Sequence, residues 1–190
     1  MISDTAATTD TEVLMAGFGG QGTLLAGKIL AQASMELGRE VSWLPSYGPE
    51  MRGGTANVIV CISSKPIGSP LIESPRGLIV MNLPSMEKFA PKVRPGGVII
   101  VNQSLIERDP HRDDCTVIKV SSRELAQQAG SIRAANFVML GAYIGATGAV
   151  PPEAIEQAIA DEFEGDKQKF ITSSVAAFRA GVAAGRQTAH

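Results

Sequence analysis

The chain has 190 residues, 44% of them hydrophobic, and Lys+Arg 17 against Asp+Glu 19 leave a formal net charge of −2. A length of this order buries roughly 70% of the unfolded surface and suits one domain, while a scattered, near-neutral charge argues against a nucleic-acid or polyanion binder. The two cysteines, Cys61 and Cys115, lie far apart in sequence, so neither a disulfide framework nor a cysteine metal site is expected, and a reducing cytoplasm is the expected location.

Residues 1–10 are polar and rich in Thr, Asp and Ala. They read as a disordered tail without the basic and apolar regions of a signal peptide, ahead of a single domain at 11–190. No apolar run approaches the roughly 18 residues of a membrane span, so no membrane association is expected. A first strand is read at Glu12 to Ala16 and a helix at Gly22 to Leu37, joined by Gly17-Phe18-Gly19-Gly20-Gln21-Gly22. Four glycines in these six residues permit positive φ angles and close approach of a ligand, and the first helical N–H groups point outwards. The turn therefore reads either as an anion cradle or as a tight packing turn.

Its spacing, Gly17-x-Gly19-x-x-Gly22, fits the dinucleotide fingerprint. That fingerprint calls for an acid at the end of the second strand to hold the ribose, and this strand, Val41 to Leu44, runs into Pro45-Ser46 instead. A second phosphate pattern, Gly22 to Lys28, has P-loop spacing, but Ile29 stands where a magnesium-binding hydroxyl belongs. Next comes the loop Ser46-Tyr47-Gly48-Pro49-Glu50-Met51-Arg52-Gly53-Gly54, whose arginine is framed by glycines. Arg52 can fork a phosphate or carboxylate, or can be a solvated surface residue. Trp43 and Leu44 are expected in the core.

Further strands are read at Ala56 to Ile62, Leu78 to Met81, Val98 to Val101 and Thr116 to Val120. Helices are read at Ser85 to Phe89, Ser122 to Ala129, Ala135 to Gly145, Pro152 to Phe163 and Lys167 to Ala184. The alternation predicts a three-layer α/β/α domain with a largely parallel central sheet, strands covered on both faces, and ligand loops leaving their carboxyl ends. Ser121 with Glu124 has capping-box spacing and Pro152 suits a first helical turn. Asn136 either caps its helix or reaches the ligand loops. The apolar stretch Phe137 to Ala146 is a buried core helix or a subunit interface, its small residues permitting close backbone approach. The final helix reads as ordinary packing material. His111 and His190 read as solvated.

Three motifs, Gly17-Phe18-Gly19-Gly20-Gln21-Gly22, Tyr47-Gly48-Pro49-Glu50-Met51-Arg52-Gly53-Gly54 and Asn136-Phe137-Val138-Met139-Leu140-Gly141, in this order resemble the gamma subunit of 2-oxoacid:ferredoxin oxidoreductases, most closely the 2-oxoglutarate type. One departure is Gly77, where an Asp is often found. The resemblance implies a Rossmann-like fold of the domain III type of pyruvate:ferredoxin oxidoreductase, within a complex that converts a 2-oxoacid to acyl-CoA and CO2 with reduction of ferredoxin. It implies alpha, beta and ferredoxin-like delta partner subunits, which carry thiamine diphosphate with Mg and [4Fe-4S] clusters, and no catalytic residue on this chain. Gly17, Phe18, Gly19, Gly20, Gln21, Gly22, Arg52, Gly53 and Gly54 would face the coenzyme A phosphates or the catalytic interface. A free-standing nucleotide-binding oxidoreductase or sensor, and a purely structural scaffold subunit, are the rival classes.

Overall fold

A computed structural model describes residues 10–47, 55–163 and 165–188. The expected tail thus lies outside the described residues except for Asp10, whose carboxylate accepts from the Ser64 backbone N–H at 2.7 Å. Six strands, β1 (Thr11–Phe18), β2 (Glu40–Tyr47), β3 (Thr55–Ser63), β4 (Gly77–Val80), β5 (Val98–Asn102) and β6 (Thr116–Val120), form one sheet in the order β2-β3-β1-β4-β5-β6. The β1-β4, β4-β5 and β5-β6 pairs are parallel, as expected from the alternation of strands and helices. The β1-β3 and β2-β3 pairs are antiparallel. β2 and β3 are consecutive in the chain and pair antiparallel, the arrangement that a short connection permits, so the sheet is mixed.

The helices are α1 (Thr23–Glu36), α2 (Leu83–Phe89), α3 (Ser122–Gln128), α4 (Ala135–Thr147), α5 (Pro152–Glu162) and α6 (Ile171–Thr188), with a 3-10 segment at Gly165–Phe170. One sheet face packs Val13, Met15, Val58, Val60, Ile79 and Ile100 against α1 and α3 to α6. The other packs Leu14, Leu78, Val80, Ile99 and Val101 against α2 and its neighbouring turn. Burial on both faces follows from the unbroken apolar runs of the central strands, where alternate residues have only apolar surface to meet. No helix among the described residues is long and apolar enough to cross a membrane.

Trp43 departs from the expected core position: it is 40% exposed, because β2 is the sheet edge and its residues have a neighbouring strand on one side only. Pro45, which cannot donate to a ladder, sits in this edge strand, where its missing N–H is tolerated. α4 is a core helix, with Asn136 to Ile144 all buried. Its small residues serve α6 of the same chain. A Cβ on Gly141 or Gly145 would collide with the carbonyl oxygens of Phe178 and Val182, and one on Gly181 or Gly185 with those of Val138 and Ala142. α6 is therefore half of a close helix crossing rather than ordinary packing. Gly77 has a similar local reason, since a Cβ there would come within 2.5 Å of the Tyr143 ring.

Candidate functional site

The glycine turn joins β1 to α1 and is locked from within. The Gln21 backbone N–H donates to the Phe18 carbonyl at 3.1 Å, and the Gln21 side chain folds back so that Oε1 accepts from the Phe18 N–H at 2.6 Å. The same oxygen accepts from Asn82 Nδ2 at 3.3 Å, while Gln21 Nε2 donates to the Met81 carbonyl at 3.4 Å. Gly17 is a packing requirement: a Cβ would lie 2.6 Å from Gln21 Oε1 and 2.9 Å from Met81 Cβ. Gly20 and Gly22 have φ of 96° and 75°, the left-handed region that L side chains rarely adopt. The tight-packing reading of the turn thus holds at Gly17, and the positive φ expected of its glycines is found at Gly20 and Gly22.

The N–H groups of Gly19, Gly20, Gly22 and Thr23 donate to no partner among the described residues. Gly22 is the N-cap of the 14-residue α1 and supplies no side-chain cap, and no acidic residue sits in the first turn. A helix start of this kind carries orphan donors and the positive end of the helix dipole, which favours an anion. Asn136 does not cap α4, whose N-cap is Ala134; instead it reaches the turn, with Nδ2 donating to the Gly22 carbonyl at 3.2 Å. That bond fixes the amide orientation and leaves Oδ1 shielded from solvent and without a partner among the described residues. A buried acceptor in that state costs about 1–3 kcal/mol.

A polar row runs along the carboxyl ends of the neighbouring strands. Asn82, just beyond β4, caps α2 by accepting from the Ser85 N–H at 2.9 Å. Asn102, at the end of β5, donates to the Met81 carbonyl at 3.3 Å and accepts from the Ser122 hydroxyl at 2.7 Å. Ser121 gives α3 no side-chain cap. Glu124 accepts instead from the Ser104 hydroxyl at 2.6 Å, a bond that holds its carboxyl below the usual range.

Two cavities flank Gly20. One, of ≈ 230 Å³, lies over Gln21, Asn102, Ser122 and Arg123. The other, of ≈ 320 Å³, is walled by Phe137, Phe163 and Phe170, with Asn136, Ser131 and Ser173 on its rim. Arg133 lines both and forms no ion pair among the described residues. Arg133 and the phenyl wall escape a reading of the sequence, because an isolated arginine in a turn and two phenylalanines near the chain end carry no local signal. Asn82 did have one: an Asn directly before Leu83-Pro84 is a helix-start pattern.

Arg52, Gly53 and Gly54 lie outside the described residues. The strand ends that flank them are placed, however: Phe18 pairs with Thr55 and Tyr47 with Ala56. The end of β1, the end of β2 and the start of β3 therefore lie at the same end of the sheet, with β3 between β2 and β1. His111 is exposed, as read from the sequence. Cys61 and Cys115 are separated by β1, β4 and β5, and burial pushes the Cys61 thiol up.

Residues 12–184 match the family model described as pyruvate ferredoxin/flavodoxin oxidoreductase. The chain is 40% identical over 174 residues to ketoisovalerate oxidoreductase subunit VorA of Methanothermobacter marburgensis, covering 90% of this chain and 36% of that protein. It thus spans about a third of that relative's length. It is 36% identical to 2-oxoglutarate synthase subunit KorC of Methanocaldococcus jannaschii, covering 79% of this chain and 82% of the relative. The crystal structure of the gamma subunit of a keto/oxoacid ferredoxin oxidoreductase from Geobacter sulfurreducens superposes with a TM-score of 0.79 at 29% identity, covering 92% of this chain and 98% of the other. The 2-oxoglutarate:ferredoxin oxidoreductase of Magnetococcus marinus, solved with 2-oxoglutarate, coenzyme A and succinyl-CoA bound, has a TM-score of 0.82 over 95% of this chain and 32% of that one; its 22% identity speaks to the fold. On this match and these identities, the chain belongs to the pyruvate ferredoxin/flavodoxin oxidoreductase family and has the fold of its gamma subunits.

Proposed function

We propose that the chain is the gamma subunit of a cytoplasmic 2-oxoacid:ferredoxin oxidoreductase that acts on 2-oxoglutarate, and that its glycine turn and Arg52 loop help to bind coenzyme A. The observation that carries the site is the set of N–H groups of Gly19, Gly20, Gly22 and Thr23, which have no partner among the described residues, at the start of α1. Coenzyme A brings a pyrophosphate and a further phosphate, and fixed N–H donors with an unpaired guanidinium suit such groups. Arg133 supplies one guanidinium beside the turn, and Arg52 would supply another from the adjoining hairpin. The 2-oxoglutarate assignment draws on the KorC relatives, which the chain matches over most of their length.

In this reading the chain binds and orients; it does not make bonds. Holding the phosphates at the carboxyl end of β1 would place the thiol end of a long, flexible cofactor toward a neighbouring subunit, and such restraint converts an encounter into an intramolecular approach. Gln21 keeps the donors in place, because its carboxamide ties the turn to β4. Thiamine diphosphate with Mg and [4Fe-4S] clusters, on alpha, beta and ferredoxin-like delta partners, would supply decarboxylation and electron transfer to ferredoxin. Two cysteines three strands apart are too few and too distant for a four-cysteine cluster here.

Mixing the chain with its partner subunits should give 2-oxoglutarate- and coenzyme A-dependent reduction of a viologen dye. Arg52→Ala should then raise KM for coenzyme A several-fold with kcat nearly kept. Unchanged kinetics in an intact complex would leave a scaffold role, and NAD(P) or FAD retained by the lone chain would sink the subunit reading.

A further inference from the structure

We propose that the ≈ 400 Å³ cavity at the amino ends of β1, β4 and β5 is a carboxylate site, in which Arg76 and Arg94 grip a small organic acid by its carboxylate while Pro95 and Val98 cover its carbon body. The cavity lies at the opposite end of the sheet from the glycine turn, because β1 runs from Thr11 in the cavity wall to Phe18 at the turn, and β4 and β5 run in the same direction. What the turn binds therefore has no bearing on it. Two stitched segments hold the arginines side by side. The Arg94 backbone N–H donates to the Pro75 carbonyl at 3.1 Å, Arg94 Nε donates to the Ser74 carbonyl at 3.0 Å, and the Val98 N–H donates to the Arg76 carbonyl at 2.9 Å. Gly97 permits that closeness: a Cβ there would lie 2.7 Å from the Arg76 carbonyl oxygen and 2.8 Å from that of Arg94.

The two guanidiniums converge without being satisfied. Arg94 Nη2 lies 3.3 Å and Arg76 Nε 3.9 Å from Glu12 Oε2, yet that oxygen accepts a hydrogen bond from neither. Glu12, itself shielded from solvent at that atom, draws the pair together from behind. Apart from the Arg94 Nε bond, neither arginine spends a side-chain N–H on a hydrogen bond among the described residues. Their side chains are 56% and 38% exposed, so the remaining donors are open to a ligand. A guanidinium forks a carboxylate through parallel N–H bonds and is weakly enough hydrated to give up water for it. The charges select a monoanion. One carboxylate neutralises the positive charge that two arginines and Glu12 leave. A dianion would also meet Asp10, held at the rim by Ser63 and Ser64, and the carbonyl end of α4 at Thr147. Inorganic phosphate, moreover, lacks the carbon body that exposed Pro95 and half-buried Val98 would cover.

NMR titration of the full, isotope-labelled chain with butyrate, butyramide and inorganic phosphate tests the assignment. Butyrate should shift the amides of Gly96, Gly97 and Val98 and the Nε signals of both arginines, saturably at millimolar concentration, and leave Gly20 and Gly22 unmoved. It should bind about tenfold more tightly than butyramide, its uncharged isostere, the difference one charge-assisted hydrogen bond makes, and more tightly than phosphate. Arg76→Gln and Arg94→Gln should each weaken butyrate by about the same factor, circular dichroism showing both variants folded, and Arg76→Lys, which keeps the charge without the fork, should recover part of the affinity. Equal affinity for butyrate and butyramide, tighter binding of phosphate, undiminished binding in both Gln variants, or no saturable response overturns the proposal. In the assembled complex, a butyrate response that persists marks a free acid as the ligand. One that vanishes, with weaker assembly of Arg76→Gln, marks a carboxylate of a partner chain in the same site; loss without weaker assembly counts against the proposal.

Discussion

Gly181→Ala isolates what holds the helical layer together. An alanine methyl there would strike the Val138 carbonyl oxygen, with the Val138 carbonyl carbon at 2.8 Å and the Ala142 nitrogen at 3.0 Å. These are backbone atoms of α4, which cannot rotate aside as a side chain would, so the two helices must separate. Against this, alanine gains about 1 kcal/mol over glycine in a helix interior. Overpacking costs about 1–3 kcal/mol, and the backbone obstruction places this site at or above the upper end. A net loss of about 2 kcal/mol follows, or a fall in Tm of roughly 4–8 °C for a chain of this size. Thermal and urea unfolding of the full chain measure it. A Tm that rises or stays level would mean that propensity decides and that the close α4-α6 crossing does not exist.

Gln21→Ala removes the acceptor of the Phe18 N–H and of the Asn82 amide. The expected cost is about 1–3 kcal/mol, with faster amide exchange at Phe18 and a raised KM for coenzyme A in the complex; unaltered exchange would remove Gln21 as the lock of the turn. Burial pushes the Tyr143 hydroxyl up to about 12, so the folded chain holds this proton to higher pH than the unfolded chain, which releases it near 10. Between these values the unfolded state binds fewer protons, and the stabilisation present below pH 10 is lost as the pH rises through 12. Denaturant unfolding of the wild type minus Tyr143→Phe should therefore decline only in that window; a difference flat to pH 12 would contradict a buried, protonated tyrosine. Asn102→Ala should leave the Ser122 hydroxyl without its acceptor and lower stability by about 1–3 kcal/mol, read by urea titration, with no loss meaning that the polar row is dispensable.

The sequence by itself determined the elements and the layered α/β class, because apolar runs, glycine turns and helical patterns are local signals. It also placed the turn from Gly17 to Gly22 between the first strand and the first helix, since four closely spaced glycines mark a backbone that must turn sharply. Tertiary structure alone decided strand direction: nothing in the run from Ala56 to Ile62 says whether it pairs parallel or antiparallel, and only its hairpin to β2 and its place beside β1 do. It also exposed Trp43 on an edge that periodicity does not reveal. Asn136 had the spacing of a cap yet holds Gly22, a residue 114 positions away. Arg133, Phe163 and Phe170 joined the site only because the turn before α4, the end of α5 and the 3-10 segment come together beside the glycine turn, a contact between distant segments that local composition does not encode.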